Sequence, residues 1–183
     1  MYKKVLILPI LMFTTGCEKK MPLFDITSPK FESFENIPMR YAYKGQNISP
    51  PLNIRGVPFL AKSLVLIVDD IDAPTDSWIH WILYNIPTNT STIEENSVPA
   101  GASEGVNSWG NKGYGGPSPP SGVHRYFFKL YALNIKLNLV NPEKKEIEKA
   151  IQGHVVAKAE LVCLYGKTAN FSKSLNNNFS IDL

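Results

Sequence analysis

The stretch "SLVLIVDD", residues 63–70, does most to narrow what this chain can fold into. Leu64 to Val68 are consecutive aliphatic residues, several of them β-branched. Such a run leaves no polar face, so it suits a strand covered on both sides. "WIHWILYNIP" (78–87) is a second run of this kind, ended by proline. "HRYFFKLYAL" (124–133) and "VVAKAELVCLYG" (155–166) also read as strands. Residues 31–58, with "YKGQNISPPLNIRGVP", read as loops and short strands. Residues 88–122 hold few apolar clusters and many Gly, Asn, Ser and Pro, so a long ordered loop is expected, and such loops usually serve a function. "NPEKKEIEKAIQGH" (141–154) predicts the one convincing helix, with Asn141 as N-cap, Pro142 at the first helical position, Glu143 in the first turn and Gly153 near the end. From Lys167 the tail is polar and is expected to lie loose over the surface. The 183 residues suit one β-dominated domain with a substantial core, and no repeat or internal boundary is visible.

The first 17 residues, "MYKKVLILPILMFTTGC", read as a bacterial export signal. Lys3 and Lys4 precede a short apolar run, Val5 to Phe13, which falls far short of the roughly 20 residues that span a bilayer. Thr14-Thr15-Gly16-Cys17 resembles a lipobox, with Thr14 where leucine is usual. The expectation is an exported lipoprotein acylated at Cys17, anchored to a membrane and facing the periplasm or cell surface. Residues 18–30 would form a polar tether, and 31–183 the domain with its tail. Cys163, in an apolar stretch, then has no partner and should be a small buried hydrophobe. With Lys3 and Lys4 set aside from the 19 basic residues, the rest nearly balance the 16 acidic ones, so nothing points to nucleic acid.

Two segments carry the chemistry. In "VDDIDAPTDSWIH", Asp70 and Asp72 are two apart and would share a side if extended, as would Trp78 and His80. Taken alone, this is a β-connection with capping aspartates and a core tryptophan. "PPSGVHRYFF" (119–128) places His124, Arg125 and Tyr126 where a rigid loop enters a strand. Each segment sets a histidine beside an aromatic residue at a strand start, after a proline-containing turn. If both strands enter one sheet from the same end, Asp70, Asp72, His80, His124 and Tyr126 can converge.

Together, "DDIDAP…WIHWILYNIP", "GYGGPSPPSGVHRYFFKLYAL" and "IQGHVVAKAELV" resemble the phosphatidylethanolamine-binding protein family, in its bacterial, Raf-kinase-inhibitor-protein-like branch. The resemblance runs from about Phe31 to Tyr165. It implies a mainly β fold: an antiparallel sandwich, a large sheet packed on a smaller one, with one or two short helices. It also implies a small anion pocket at Asp70, Asp72, Trp78, His80, Gly116, Pro117, His124 and Tyr126, with no metal, no cofactor and no catalytic residue. The ligand would be a small phosphorylated or carboxylated molecule such as a phospholipid headgroup, and some relatives are thought to inhibit a protein partner. A cis Ala73–Pro74 bond is a further expectation from the resemblance. Arg125, one residue out of phase, should face the other side of the sheet, and Ser121 should be a turn residue. Imidazolium, phenol and the backbone N–H groups of Gly115-Gly116 are suitable donors to an anion, while the aspartates can orient the imidazoles or face an amine. The sequence departs from the family at Ile71, where proline is usual, and at Asn53-Ile54-Arg55 after "SPPL". The eukaryotic C-terminal helix has no counterpart here.

Two other readings stay open on the residues themselves. One is a hydrolase with His124 or His80 as base and Ser121 or water as nucleophile, although no G-x-S-x-G elbow is present. The other is a metal site built from the two histidines and two aspartates. His154, near the helix end, is expected to act as a cap or buried hydrogen bonder.

Overall fold

The computed structural model describes residues 23–74 and 77–166. Cys17 with its leader, residues 18–22 of the expected tether and the polar tail lie outside the described residues. Among the described residues, eight strands run in chain order: β1 (Asp25–Thr27), β2 (Leu52–Arg55), β3 (Ser63–Asp70), β4 (Trp78–Ile86), β5 (Thr92–Ile93), β6 (Ser103–Glu104), β7 (Val123–Leu133) and β8 (Val155–Gly166). One helix, α1 (Lys144–Ile151), lies between β7 and β8. An antiparallel five-stranded sheet, β6-β4-β3-β7-β8, packs on a three-stranded one, β1-β2-β5. The fold is mainly β, a large sheet on a smaller one.

β3 sits at the centre, and all eight of its residues are buried. Successive side chains point to opposite faces. Leu64, Leu66 and Val68 therefore meet Ile26, Leu52, Ile54 and Ile93 of the small sheet. Val65 and Ile67 pack instead under α1, with Ile147 and Ile151. Covering on both faces is why the run shows no polar alternation. The same alternation divides the aspartates that follow. Asp69 falls on the helix face, where it meets Lys129 and Lys144, while Asp70 falls on the other face.

The structure differs from the sequence reading in several places, among them the short strands β5 and β6 within the expected loop 88–122. Residues 25–27 are not tether: Asp25, Ile26 and Thr27 pair with Arg55, Ile54 and Asn53, and Phe24 and Ile26 are buried. The small sheet needs this strand to complete its apolar face. The helix also starts later than expected. Asn141 has φ +50°, a left-handed conformation unsuited to an N-cap, and Glu143 takes that position, its N–H held by the Glu146 carboxylate at 2.9 Å. Finally, the Ala73–Pro74 bond is trans; no described peptide bond is cis. The turn is held instead by polar contacts. Asp72 N–H donates to Asp70 Oδ1 at 2.9 Å, and the Asp72 carboxylate grips Arg125.

Candidate functional site

The edges of the site are built by strand pairing. Asp70 ends β3 opposite Trp78 on β4 and Tyr126 on β7. On β7, every second residue from His124 to Ala132 is buried, so His124 and Tyr126 lie on the Asp70 face. β4 is less regular. Val68 pairs with Trp81 but Asp69 pairs with Ile79, so His80 is the extra residue of a β-bulge. Ile79 and Ile82 consequently share the helix face, and Trp78 and His80 turn to the face of Asp70. Bulges re-aim side chains in this way. Without it, period-two alternation would send His80 under α1.

A cavity of about 390 Å³ opens at this end of the sheet. Its walls include Asp70, Trp78, His80 and His124, together with Tyr43, Trp109 and the Ala73-Pro74 turn. The long loop supplies Trp109 and Ser118 to Pro120. Asn107 shapes that loop: its Oδ1 accepts Trp109 N–H (3.0 Å) and Asn111 N–H (3.2 Å), and its amide donates to Gly113 O (3.0 Å). Trp109 then stacks on Tyr43 and meets Trp78 and His80 edge to face.

Both imidazoles are tied at Nδ1. His80 Nδ1–H donates to Gly115 O at 2.6 Å, because a carbonyl can only accept. His124 Nδ1 meets Asp70 Oδ2 at 2.7 Å. Among the described residues His80 Nε2 is buried without a partner, while the Tyr126 hydroxyl, whose ring lies 5.1 Å from the His80 ring, neighbours the Asp70 carboxylate. Burial holds the His80 imidazole below its ordinary value, against the opposing pull of Gly115 O and Asp70. Burial and the neighbouring Asp70 carboxylate push the Tyr126 phenol well up. At neutral pH His80 Nε2 is therefore an acceptor and Tyr126 a proton-bearing donor. His80 lines the cavity, whereas Tyr126 lies behind it, outside the lining; the unpaired Nε2 carries a desolvation penalty that a donor on a ligand would remove.

The remaining expected site residues are placed differently. Asp72 is absent from the cavity wall. The strand has already become a turn there, and its carboxylate takes Arg125 Nε (2.9 Å), Arg125 Nη2 (2.7 Å) and Arg125 N–H (2.9 Å). Those hydrogen bonds hold the Asp72 carboxyl down at about 2. The Gly115-Gly116 N–H groups are not free to bind an anion, which corrects that expectation. Gly115 N–H donates to His80 O at 2.9 Å and Gly116 N–H to Asn47 Oδ1 at 2.7 Å. Gly116 matters for space instead, since a Cβ there would come within 2.3 Å of Tyr41 O. Pro117 O accepts Tyr43 N–H at 3.0 Å, which joins the two loops behind the cavity. Arg125 lies on the opposite face from His124 and Tyr126, as expected, and Ser121 is an exposed turn residue. His154 Nδ1 meets Asn134 Oδ1 at 3.0 Å, and burial pushes the Cys163 thiol up. Tyr43 and Trp109 were missed by the sequence reading. An aromatic residue inside the polar stretch "NSWGNKGYGG" was the one signal for Trp109, and Tyr43 gave none.

Arg125→Ala should lower the thermal midpoint by only a few degrees, because the Asp72 pair is solvent-exposed. Ligand affinity should stay within about twofold of wild type, since the side chain touches no cavity wall. A thermal melt and a binding titration of the same preparation check both parts.

Comparison with known proteins places these features in a wider set. Residues 27–166 match the family model described as phosphatidylethanolamine-binding protein. A UPF0098 protein of Methanothermobacter thermautotrophicus is 49% identical over 141 residues, covering 74% of this chain and 93% of its own. A UPF0098 protein of Chlamydia trachomatis is 41% identical over 148 residues, covering 78% and 98%. Among solved structures, a putative phosphatidylethanolamine-binding protein homolog from Chlamydia trachomatis, CT736, superposes with a TM-score of 0.76 at 40% identity, covering 79% of this chain and 98% of that one. E. coli YbcL, described as a new member of the mammalian family, gives 0.75 at 31% identity, covering 79% and 99%.

Proposed function

This chain belongs to the phosphatidylethanolamine-binding protein family, and from that premise we propose that it is a binding protein whose cavity takes a small phosphorylated or carboxylated ligand, such as a phospholipid headgroup or a free phosphomonoester. The observation that carries this reading is His80 Nε2, buried in the cavity wall with no partner among the described residues, beside the Asp70–His124 pair. A phosphate monoester near its second ionisation, about pH 6, carries both a P–OH and anionic oxygens. The P–OH can donate to His80 Nε2 in the cavity wall. Asp70 disfavours a fully ionised ligand and suits one that also bears an amine. Among the described residues, no serine, threonine or cysteine side chain hydrogen-bonds either imidazole, so no nucleophile–base pair supports hydrolysis. Titrating phosphoethanolamine into labelled protein should move the amide resonances of His80, His124 and Tyr126. Shifts confined to other parts of the sheet would place the ligand elsewhere.

The N-terminal residues support a second part of the proposal: the chain is exported and acylated at Cys17. No described helix is long and apolar enough to cross a membrane. Cells fed a clickable fatty acid should label the wild type, and Cys17→Ser should abolish the label. An unlabelled wild type removes the anchor from the account.

A further inference from the structure

The end of the domain opposite the cavity carries an apolar point. Phe59 and Leu60 are 93% and 69% exposed, adjacent in sequence, at the apex of a turn closed by Ala61 N–H donating to Pro58 O at 2.9 Å. Scattered exposed apolar residues are ordinary, but a consecutive pair at an apex is not accounted for by packing. Leu23, 87% exposed, precedes β1 at the strand end where Asp25 pairs with Arg55, and the Phe59–Leu60 turn departs from that same end of β2. Three exposed cations lie at this end of the domain. Arg55 is exposed; Lys62 follows the turn, its N–H bonded to Leu133 O at 2.7 Å. Lys136 is held at the same end by Ser63 Oγ donating to Ile135 O. Asp25, across from Arg55, is the acid facing them along β1.

We propose that the Phe59–Leu60 turn inserts into the headgroup region of a lipid bilayer, so that the cavity faces away from that membrane and takes its ligand from solution. Apolar side chains near lysine and arginine are the combination that anionic bilayer surfaces attract. The position of Cys17 selects this occupant over a protein, and here the proposal rests on the anchor reading above. Cys17 lies six residues before Leu23, a reach of at most about 21 Å, and the chain enters the domain beside the apolar point. An anchored domain needs little intrinsic affinity, because tethering raises the effective concentration of the turn at the surface. The eight residues of β3 run from the turn's end, Ser63, to Asp70 in the cavity wall, a separation of about 23 Å. Headgroups of the docked membrane lie at the wrong end of the sheet to be ligands, which leaves soluble phosphomonoesters or carboxylates.

The test uses the full acylated protein reconstituted in vesicles of phosphatidylethanolamine and phosphatidylglycerol. Single thiols introduced as Leu60→Cys and, at the cavity end, Ser121→Cys carry an environment-sensitive fluorophore. The Leu60→Cys label should shift to the blue and be quenched by spin-labelled lipid, while the Ser121→Cys label should do neither. Phe59→Ser/Leu60→Ser should leave the protein pelleting with the vesicles but let the Ser121→Cys label approach the bilayer, read as a rise of about twofold or more in energy transfer to a lipid-borne acceptor. A Leu60→Cys label that stays in water on vesicle-bound protein overturns the proposal. So does one shielded from water yet untouched by the lipid quencher, which would indicate a protein partner or a second copy. Quenching of both labels overturns the orientation. Loss of pelleting in the parent protein would instead report failure of the anchor.

Discussion

Replacing Asp69 by alanine is expected to destabilise the fold by about 3–5 kcal/mol, the usual effect of removing one partner from a buried ion pair. The Asp69 carboxylate is fully buried and gathers three elements on the helix face of the sheet. Lys129 Nζ from β7 lies 2.8 Å from Oδ1, Lys144 Nζ from α1 lies 3.0 Å from Oδ2, and Ser77 Oγ donates to Oδ2 at 2.6 Å. Without the carboxylate the two ammonium groups lose their shared counter-charge, and Lys144 keeps only Ser77 Oγ at 3.0 Å and Glu148 at 3.7 Å. Each lysine keeps 24% or 21% of its side chain in water, so partial resolvation favours the lower half of the range. The pH dependence follows. Burial pushes the Asp69 carboxyl up, but hydrogen bonds from Lys129, Ser77 and Lys144 prevail and hold it below its ordinary value. Its folded value is the lower one. The stabilisation is thus complete above the unfolded value, about pH 4, and is lost as pH falls through the folded value. Urea denaturation at about pH 7 should show the full gap between wild type and Asp69→Ala, and at about pH 3 a narrower one. A gap below about 1 kcal/mol at neutral pH would mean that the lysines are solvated and the cluster contributes little.

His80→Ala and His124→Ala should each weaken phosphoethanolamine binding about tenfold or more, the scale of one hydrogen bond to a charged group. The wild-type affinity should itself be millimolar to high micromolar, since few ligand atoms can be buried. The two histidines act differently. His80 presents an unpartnered Nε2 to the ligand, whereas His124 is bound to Asp70 and keeps that carboxylate turned toward an imidazole. Binding should tighten as pH falls. Burial keeps the free His80 imidazole neutral, so the ligand must bring the proton that it shares with Nε2. Complex formation then takes up a proton, and affinity rises as pH drops through the range below about 6.5. NMR titrations at about pH 5.5 and about pH 7.5 separate the contributions. Both variants must keep a native amide spectrum for the comparison to count. If both bind as tightly as wild type at both pH values, the cavity is not the anion site.

Much of this was legible in the chain because it depends on local composition. The unbroken run Leu64–Val68 called for a strand covered twice, and β3 is one. Alternation along 124–133 placed Arg125 opposite His124 and Tyr126, which the burial of β7 repeats. The turn-rich 88–122 segment announced a loop with a task, and it supplies Trp109 and Ser118 to Pro120 to the cavity. Other errors came from features decided by distant partners. β1 is three residues long and is a strand only because Asn53–Arg55 lies beside it. The Gly115 and Gly116 amides looked free until His80 O and Asn47 Oδ1 were brought to them by other segments.

The amino-acid sequence by itself determined the four long strands, the two-sided burial of β3 and β4, the family and the polar residues at the strand entrances, because period, turn chemistry and side-chain type are local properties. Tertiary structure alone decided which of those residues share a cavity. Asp69 and Asp70 are neighbours of one residue type, yet the pleat sends one to two lysines under α1 and the other to His124. Asp72 looked equivalent to Asp70, but the strand ends between them, so its carboxylate closes a turn on Arg125. His80 reaches the cavity through a one-residue bulge against β3, and a register shift exists only between two paired strands.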